Sequence, residues 1–115
     1  MSAILLRLML ALPFMLLISP KSEEQVKQWC IADEQFPDGV LQESMDWVCG
    51  AGGANCTNIQ MNQPCYYPNT VKDHASYAFN SYYQKNKGGA CNFKGAAMIT
   101  EFDPSYNSCH YEYTP

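Results

Sequence analysis

The sequence carries one arginine, Arg7, and nowhere gathers its lysines into a patch. Phosphate-rich partners need such a patch to displace backbone counterions, so nucleic acid is excluded as a partner, and an anionic membrane surface with it. A long hydrophobic run is also lacking. Leu8 to Ile18 is apolar, but these eleven residues fall short of the roughly 20 that a helix needs to cross a bilayer core. The run follows a short polar start and Arg7 and stops at Ser19 and Pro20. This is the profile of a signal peptide, assigned to residues 1–22, with 23–28 as a short solvated lead-in. No C-x-x-C pair occurs, which removes the ligand spacing of a structural zinc site, so no metal is expected. The serines lack a nucleophile elbow. After Tyr113, Thr114 and Pro115 there is neither the spacer nor the apolar tail of a lipid-anchor signal, so the mature form is expected free of the membrane.

What remains after the leader is a chain of roughly 93 residues, one domain whose apolar core alone would barely offset chain entropy. All six cysteines, Cys30, Cys49, Cys56, Cys65, Cys91 and Cys109, lie in this part. An even number in an exported chain implies three disulfides, and spacing alone leaves all fifteen connectivities open. Dropping Met1 to Pro20 takes only Arg7 from the charged set and leaves six lysines against eleven carboxylates, a net charge of −5. A mildly acidic surface suits neutral partners.

The folded part begins at Trp29. Leu41, Met45 and Val48 recur at i, i+4 and i+7, so a helix is predicted from an Asp38 cap to about Cys49, stopped by Gly50. Ala51 to Pro64, with Gly52, Gly53 and three asparagines, reads as loop. A second helix is predicted after a capping box of Thr70 and Asp73, running to about Lys85 and ended by Gly88 and Gly89. Ala75, Ala78, Phe79 and Tyr82 form its core-facing stripe. The segments Ala96 to Phe102 and Cys109 to Tyr113 are predicted to pair antiparallel through a turn at Asp103, Pro104 and Ser105. The fold class is therefore α+β: a small disulfide-rich domain with two main helices and a short antiparallel sheet, over residues 29–113.

Several motifs then fall into one pattern. They are Trp29-Cys30-Ile31-Ala32, Asp46-Trp47-Val48-Cys49-Gly50, Pro68-Asn69-Thr70, and the run from His74 through Asn80 with Tyr82-Tyr83-Gln84; Cys91, Phe93, Gly95, Asp103-Pro104-Ser105 and Cys109 complete it. This resembles carbohydrate-binding module family 43, the X8 domain of plants, across nearly all of the mature chain. The layout is similar to the stand-alone members, which include small pollen allergens of the olive type and plasmodesmal callose-binding proteins. The resemblance implies disulfides Cys30–Cys91, Cys49–Cys56 and Cys65–Cys109. It also implies a secreted, monomeric, non-catalytic binder of β-1,3-glucan, of the callose or laminarin type, in the cell wall or apoplast, with no cofactor. Two positions depart from the family's usual pattern. Asn55 creates an Asn55-Cys56-Thr57 glycosylation sequon, and Asn107 stands where many relatives have Gly.

A neutral polysaccharide offers flat C–H faces and many hydroxyls, so its binder needs open aromatic rings flanked by amides or carboxylates. Tyr67, Asn69, Tyr77, Asn80, Tyr83 and Gln84, on and before the second helix, are the candidate glucan contacts. Asn80 and Gln84 stand at i and i+4 and would present two amides along one line. Tyr82, Phe79, Trp29 and Trp47 are read as core, Tyr66 as packed over the neighbouring disulfide, and His74 as a first-turn residue bonded to a nearby loop. The competing reading is a secreted structural or regulatory partner of a wall glucanase or wall protein that does not itself touch glycan.

Overall fold

The computed structural model describes residues 26–87 and 91–115. The leader assigned to 1–22, residues 23–25 of the lead-in, and the Gly88 and Gly89 stop lie outside the described residues. Among the described residues four main elements occur in the order β1 (Trp29–Ala32), α1 (Asp38–Cys49), α2 (Val71–Lys85) and β2 (Ala97–Thr100), with one 3-10 turn at Thr57–Ile59. The domain is α+β and disulfide-rich.

Helix α1 forms where the Leu41, Met45, Val48 stripe dictates, and those three side chains are buried. The cap is corrected: Pro37, extended at ψ 152°, occupies the N-cap, and Asp38 makes no side-chain cap bond. Pro pre-sets the helical entry, and the Asp38 carboxylate instead complements the positive end of the helix dipole. At α2 the Thr70 hydroxyl accepts the Asp73 N–H at 3.1 Å and donates to the Asp73 carboxylate, so the box closes from both sides.

The sheet differs from expectation. β2 pairs antiparallel with β1, in a register that sets Trp29 opposite Thr100 and Ala32 opposite Ala97. Cys109 to Tyr113 makes only the isolated Tyr106–Cys109 bridge among the described residues and then runs along α2. The reason lies in α2, which is the centre of the molecule: α1 packs on one side of it and β1 on another. Phe79, Ala75 and Ala78 are fully buried there, with Leu41, Val48, Cys30 and Ala32 around them.

Three disulfides clamp this frame. Cys30–Cys91 joins β1 to the approach to β2, Cys49–Cys56 closes the loop after α1, and Cys65–Cys109 ties the loop before α2 to the C-terminal segment. Their sequence separations are 61, 7 and 44. On the chain-entropy account the two long closures stabilise by about 4 kcal/mol each and the short one by about 2. That is comparable to the whole net stability of a domain this size.

Candidate functional site

The six candidate contacts separate in the structure. Tyr67 is 73% exposed and Asn69 is exposed beside it, while Tyr77, Asn80 and Gln84 are only 2%, 1% and 4% exposed. The expectation that the last three face solvent is thus corrected, and the cause is backbone chemistry. β1 pairs with β2 on one edge only, which leaves the N–H groups of Cys30 and Ala32 pointing at α2. They donate to Asn80 Oδ1 at 3.1 Å and Ser76 Oγ at 3.0 Å. Gln84 Nε2 donates to the Gln28 carbonyl at 3.1 Å and to Asn80 Oδ1 at 2.9 Å. From the other side, Asn80 Nδ2 donates to the Glu112 carbonyl at 2.8 Å, and Gln84 Oε1 accepts the Thr114 N–H at 2.8 Å. The amides do stand along one line, but protein backbone already occupies it.

Tyr77 is a core ring, set edge-on to Tyr111 at 5.2 Å, with its hydroxyl accepting from Asn58 Nδ2 at 2.9 Å. Burial pushes its phenol pKa up; the Asn58 bond works against this and the Glu112 charge adds to it. Burial pushes the Tyr111 phenol up as well, with the Tyr106, Asp73 and Tyr77 side chains adding to it. Tyr83 is half-buried in a hollow with Gln28, Lys87 and Tyr113, where the Lys87 ammonium sits 5.8 Å from its ring. Neither Tyr67 nor Asn69 lines that hollow.

Tyr67 and Asn69 instead each touch Tyr66, which lines a groove of about 420 Å³ between α1, the loop after the 3-10 turn and the start of α2. Gln42 and Asp46 form one bank; Gln60 and Met61 form the other; Tyr66 and His74 close the end. Tyr67 stands at 81° to Tyr66 with centroids 4.9 Å apart, and Tyr66 leans on the His74 ring at 5.6 Å. The arrangement is braced from behind. Asn69 Nδ2 donates to the Tyr66 hydroxyl at 3.0 Å, the Tyr106 hydroxyl donates to the Tyr67 carbonyl at 2.8 Å, and His74 Nε2 bonds the Tyr66 carbonyl at 2.7 Å. A carbonyl only accepts, so His74 carries its proton on Nε2. Within the groove, Gln42 Nε2 donates to Asp46 Oδ1 at 2.8 Å. The result is an aromatic corner beside a strip of amide and carboxylate groups.

Sequence reasoning missed Gln42, Asp46, Gln60 and Met61, and it misread Trp47, which is 50% exposed. The periodicity held the signal for Trp47: it lies off the Leu41, Met45, Val48 stripe, one step of about 100° from Val48. Asn55 is exposed, its side-chain oxygen accepting the Thr57 N–H at 3.2 Å, while Cys56 between them is in its disulfide.

The model of the X8 domain family matches residues 28–98, from just before β1 into β2. The chain belongs to the X8 family. Similar proteins include glucan endo-1,3-beta-glucosidase 4 of Arabidopsis thaliana, 53% identical over 85 residues that cover 72% of this chain and 17% of that protein. Plasmodesmata callose-binding protein 5 of the same plant is 44% identical over 89 residues, 76% of this chain and 49% of its own. Major pollen allergen Ole e 10 of Olea europaea is 46% identical over 88 residues, 74% of this chain and 71% of its own. This X8 domain spans about one sixth of the length of the glucosidases it matches. The matched stretch contains both helices, the groove and its aromatic corner.

Proposed function

We propose that this X8 domain is a secreted, non-catalytic module that binds β-1,3-glucan in the plant cell wall through the Tyr66–Tyr67 groove. The observation that carries the reading is the open Tyr67 ring standing at right angles to Tyr66, which itself lines a groove with Gln42, Asp46 and Gln60. Two rings set at an angle suit a bent, helical chain better than a flat ribbon, and amides and a carboxylate can satisfy hydroxyls as donor and acceptor. The names of the relatives, a 1,3-β-glucan hydrolase and a callose-binding protein, support the same polymer. Support for binding without hydrolysis is that, among the described residues, Asp46 is the one carboxylate on the lining, where glycoside hydrolysis uses two.

Affinity electrophoresis in native gels with and without laminarin tests this. The domain should be retarded by laminarin, and Tyr67→Ala should weaken retention about tenfold, the loss of roughly 1.4 kcal/mol of ring contact, with its melting temperature unchanged. Equal mobility in the two gels would refute the proposal. A second reading, docking on a wall protein, is favoured by the exposed apolar side chains of Met98, Ile99 and Phe102 on and after β2, where Phe102 is 84% exposed. Capture of a wall protein that survives glucan digestion and is lost in Phe102→Ser would support it.

A further inference from the structure

We infer that the cleft beside Trp47 is a second glucan-contact site, so that one domain holds two glucan segments at once. This rests on the reading of the groove above, and the two sites share no residue. The cleft, about 350 Å³, is lined by Glu43, Ser44, Trp47, Phe93 and Lys94. It lies at the small end of the range of about 300–1,000 Å³ that ligand pockets span, room for a short piece of chain.

Its chemistry repeats that of a sugar platform on a different frame. The Trp47 indole is half exposed and held edge-on by Tyr82 at 5.6 Å, so the ring is braced while the rest of it stays open. Around it stand a carboxylate on Glu43, a hydroxyl on Ser44 and an ammonium on Lys94, acceptor and donor groups that suit uncharged hydroxyls and together carry no net charge. The Lys94 wall is built at a conformational penalty. Phe93, Lys94 and Gly95 are three successive residues in the left-handed region, with φ of 49°, 60° and 88°, and the first two are L residues that rarely adopt it. Phe93 is pinned there by stacking on Phe79 at 4.5 Å and 18°. Such clustered outliers persist at sites that need a side chain aimed in one direction.

The geometry makes the domain bivalent. Gln42 and Asp46 face the groove and Glu43, Ser44 and Trp47 face the cleft, roughly 125° apart around α1 at 100° per residue. One chain cannot lie in both along a straight path. Two segments, from two chains or from a loop of one, can.

Titration with a short β-1,3-gluco-oligosaccharide tests this, because Trp29 is only 5% exposed and Trp47 is therefore the reporting indole of the two. We expect Trp47 emission to shift and its acrylamide quenching to fall on binding, the response to persist in Tyr67→Ala, and calorimetry to fall from two sites in the parent to one in Trp47→Ala or Trp47→Phe. Long laminarin should raise light scattering with the parent and not with the Trp47 variants. Retardation lost in Tyr67→Ala with Trp47 quenching unchanged throughout would leave the groove standing and overturn the second site. A Trp47 response with no retardation and no effect of Tyr67→Ala would refute the groove and also the claim of two sites. Concentration-dependent dimerisation abolished in Trp47→Ala would show that a second copy fills the cleft, which also overturns the inference. A parent that shows neither retardation nor a Trp47 response overturns both.

Discussion

Replacing Asn80 by Ala removes the side chain that holds β1, α2 and the C-terminal segment together. Its carboxamide serves the Cys30 N–H, the Gln84 amide and the Glu112 carbonyl at 3.1, 2.9 and 2.8 Å. Gln84 keeps its bond to the Gln28 carbonyl, so two backbone groups lose their partner. A buried backbone group left without one costs about 1–3 kcal/mol, so the variant should lose about 4 kcal/mol. A domain of this size shifts its midpoint by about 4–8 °C per kcal/mol, which places the fall at roughly 15–30 °C. Far-UV circular dichroism melts with the disulfides intact would measure it, and amide exchange should accelerate first at Cys30. Asn80→Asp keeps the acceptor for Cys30 but sets a carboxylate against the Glu112 carbonyl, and should fall between the two. Laminarin retardation below the new midpoint should be unchanged, since Asn80 reaches no groove. An Asn80→Ala variant that melts within about 5 °C of the parent yet no longer binds laminarin would refute the reasoning and restore Asn80 as a ligand contact.

Gly52 tests the support of Trp47: a Cβ there would lie 2.8 Å from the Val48 Cα and 2.9 Å from Trp47 Cζ3, so Gly52→Ala should destabilise by about 1–3 kcal/mol and change Trp47 fluorescence. Tyrosine ionisation followed by absorbance should extend above the ordinary range near pH 10, because burial raises Tyr111, Tyr77 and Tyr106. A raised folded pKa favours the neutral form in the native state, so stability from these groups is complete below about pH 10 and declines as pH climbs beyond it; completion of the titration near pH 10 would contradict this. We propose that Asn55 accepts a glycan only before Cys56 is oxidised. Secretion of a Cys49→Ser, Cys56→Ser pair should then raise the glycosylated fraction seen by mass spectrometry, and an unchanged fraction would count against that competition.

Both helices were legible in the sequence because each carries a local signature: the three-residue stripe on α1, and the Thr70–Asp73 box on α2. The partner of β2 was not legible, because strand pairing is non-local and Trp29–Ala32 is too short to show an alternation. Of the candidate contacts, the exposure of two was legible: Tyr67 and Asn69 sit in a Pro-rich loop that no periodicity contradicts, and both stay open beside Tyr66. Asn80 and Gln84 were misplaced because polar residues on a helix read as surface, and only the knowledge that a strand edge lies against α2 turns them inward. Gln42, Asp46 and Gln60 come together from α1 and from the loop after the 3-10 turn, a juxtaposition created by packing. Asn107, in place of the usual Gly, does take the left-handed conformation at φ 50°, as Asn tolerates.

The line of Ser76, Asn80 and Gln84 also sets a ceiling on the fold. Steps of four along a helix advance about 6.0 Å, whereas steps of two along a strand advance about 6.6–6.8 Å. The two rulers slip past each other by roughly 0.7 Å per rung, so after about three rungs donor and acceptor are out of reach. A helix can stand in for a missing neighbouring strand only over that short span. β1 stops at four residues, and a lengthened sheet would need a true third strand in place of α2.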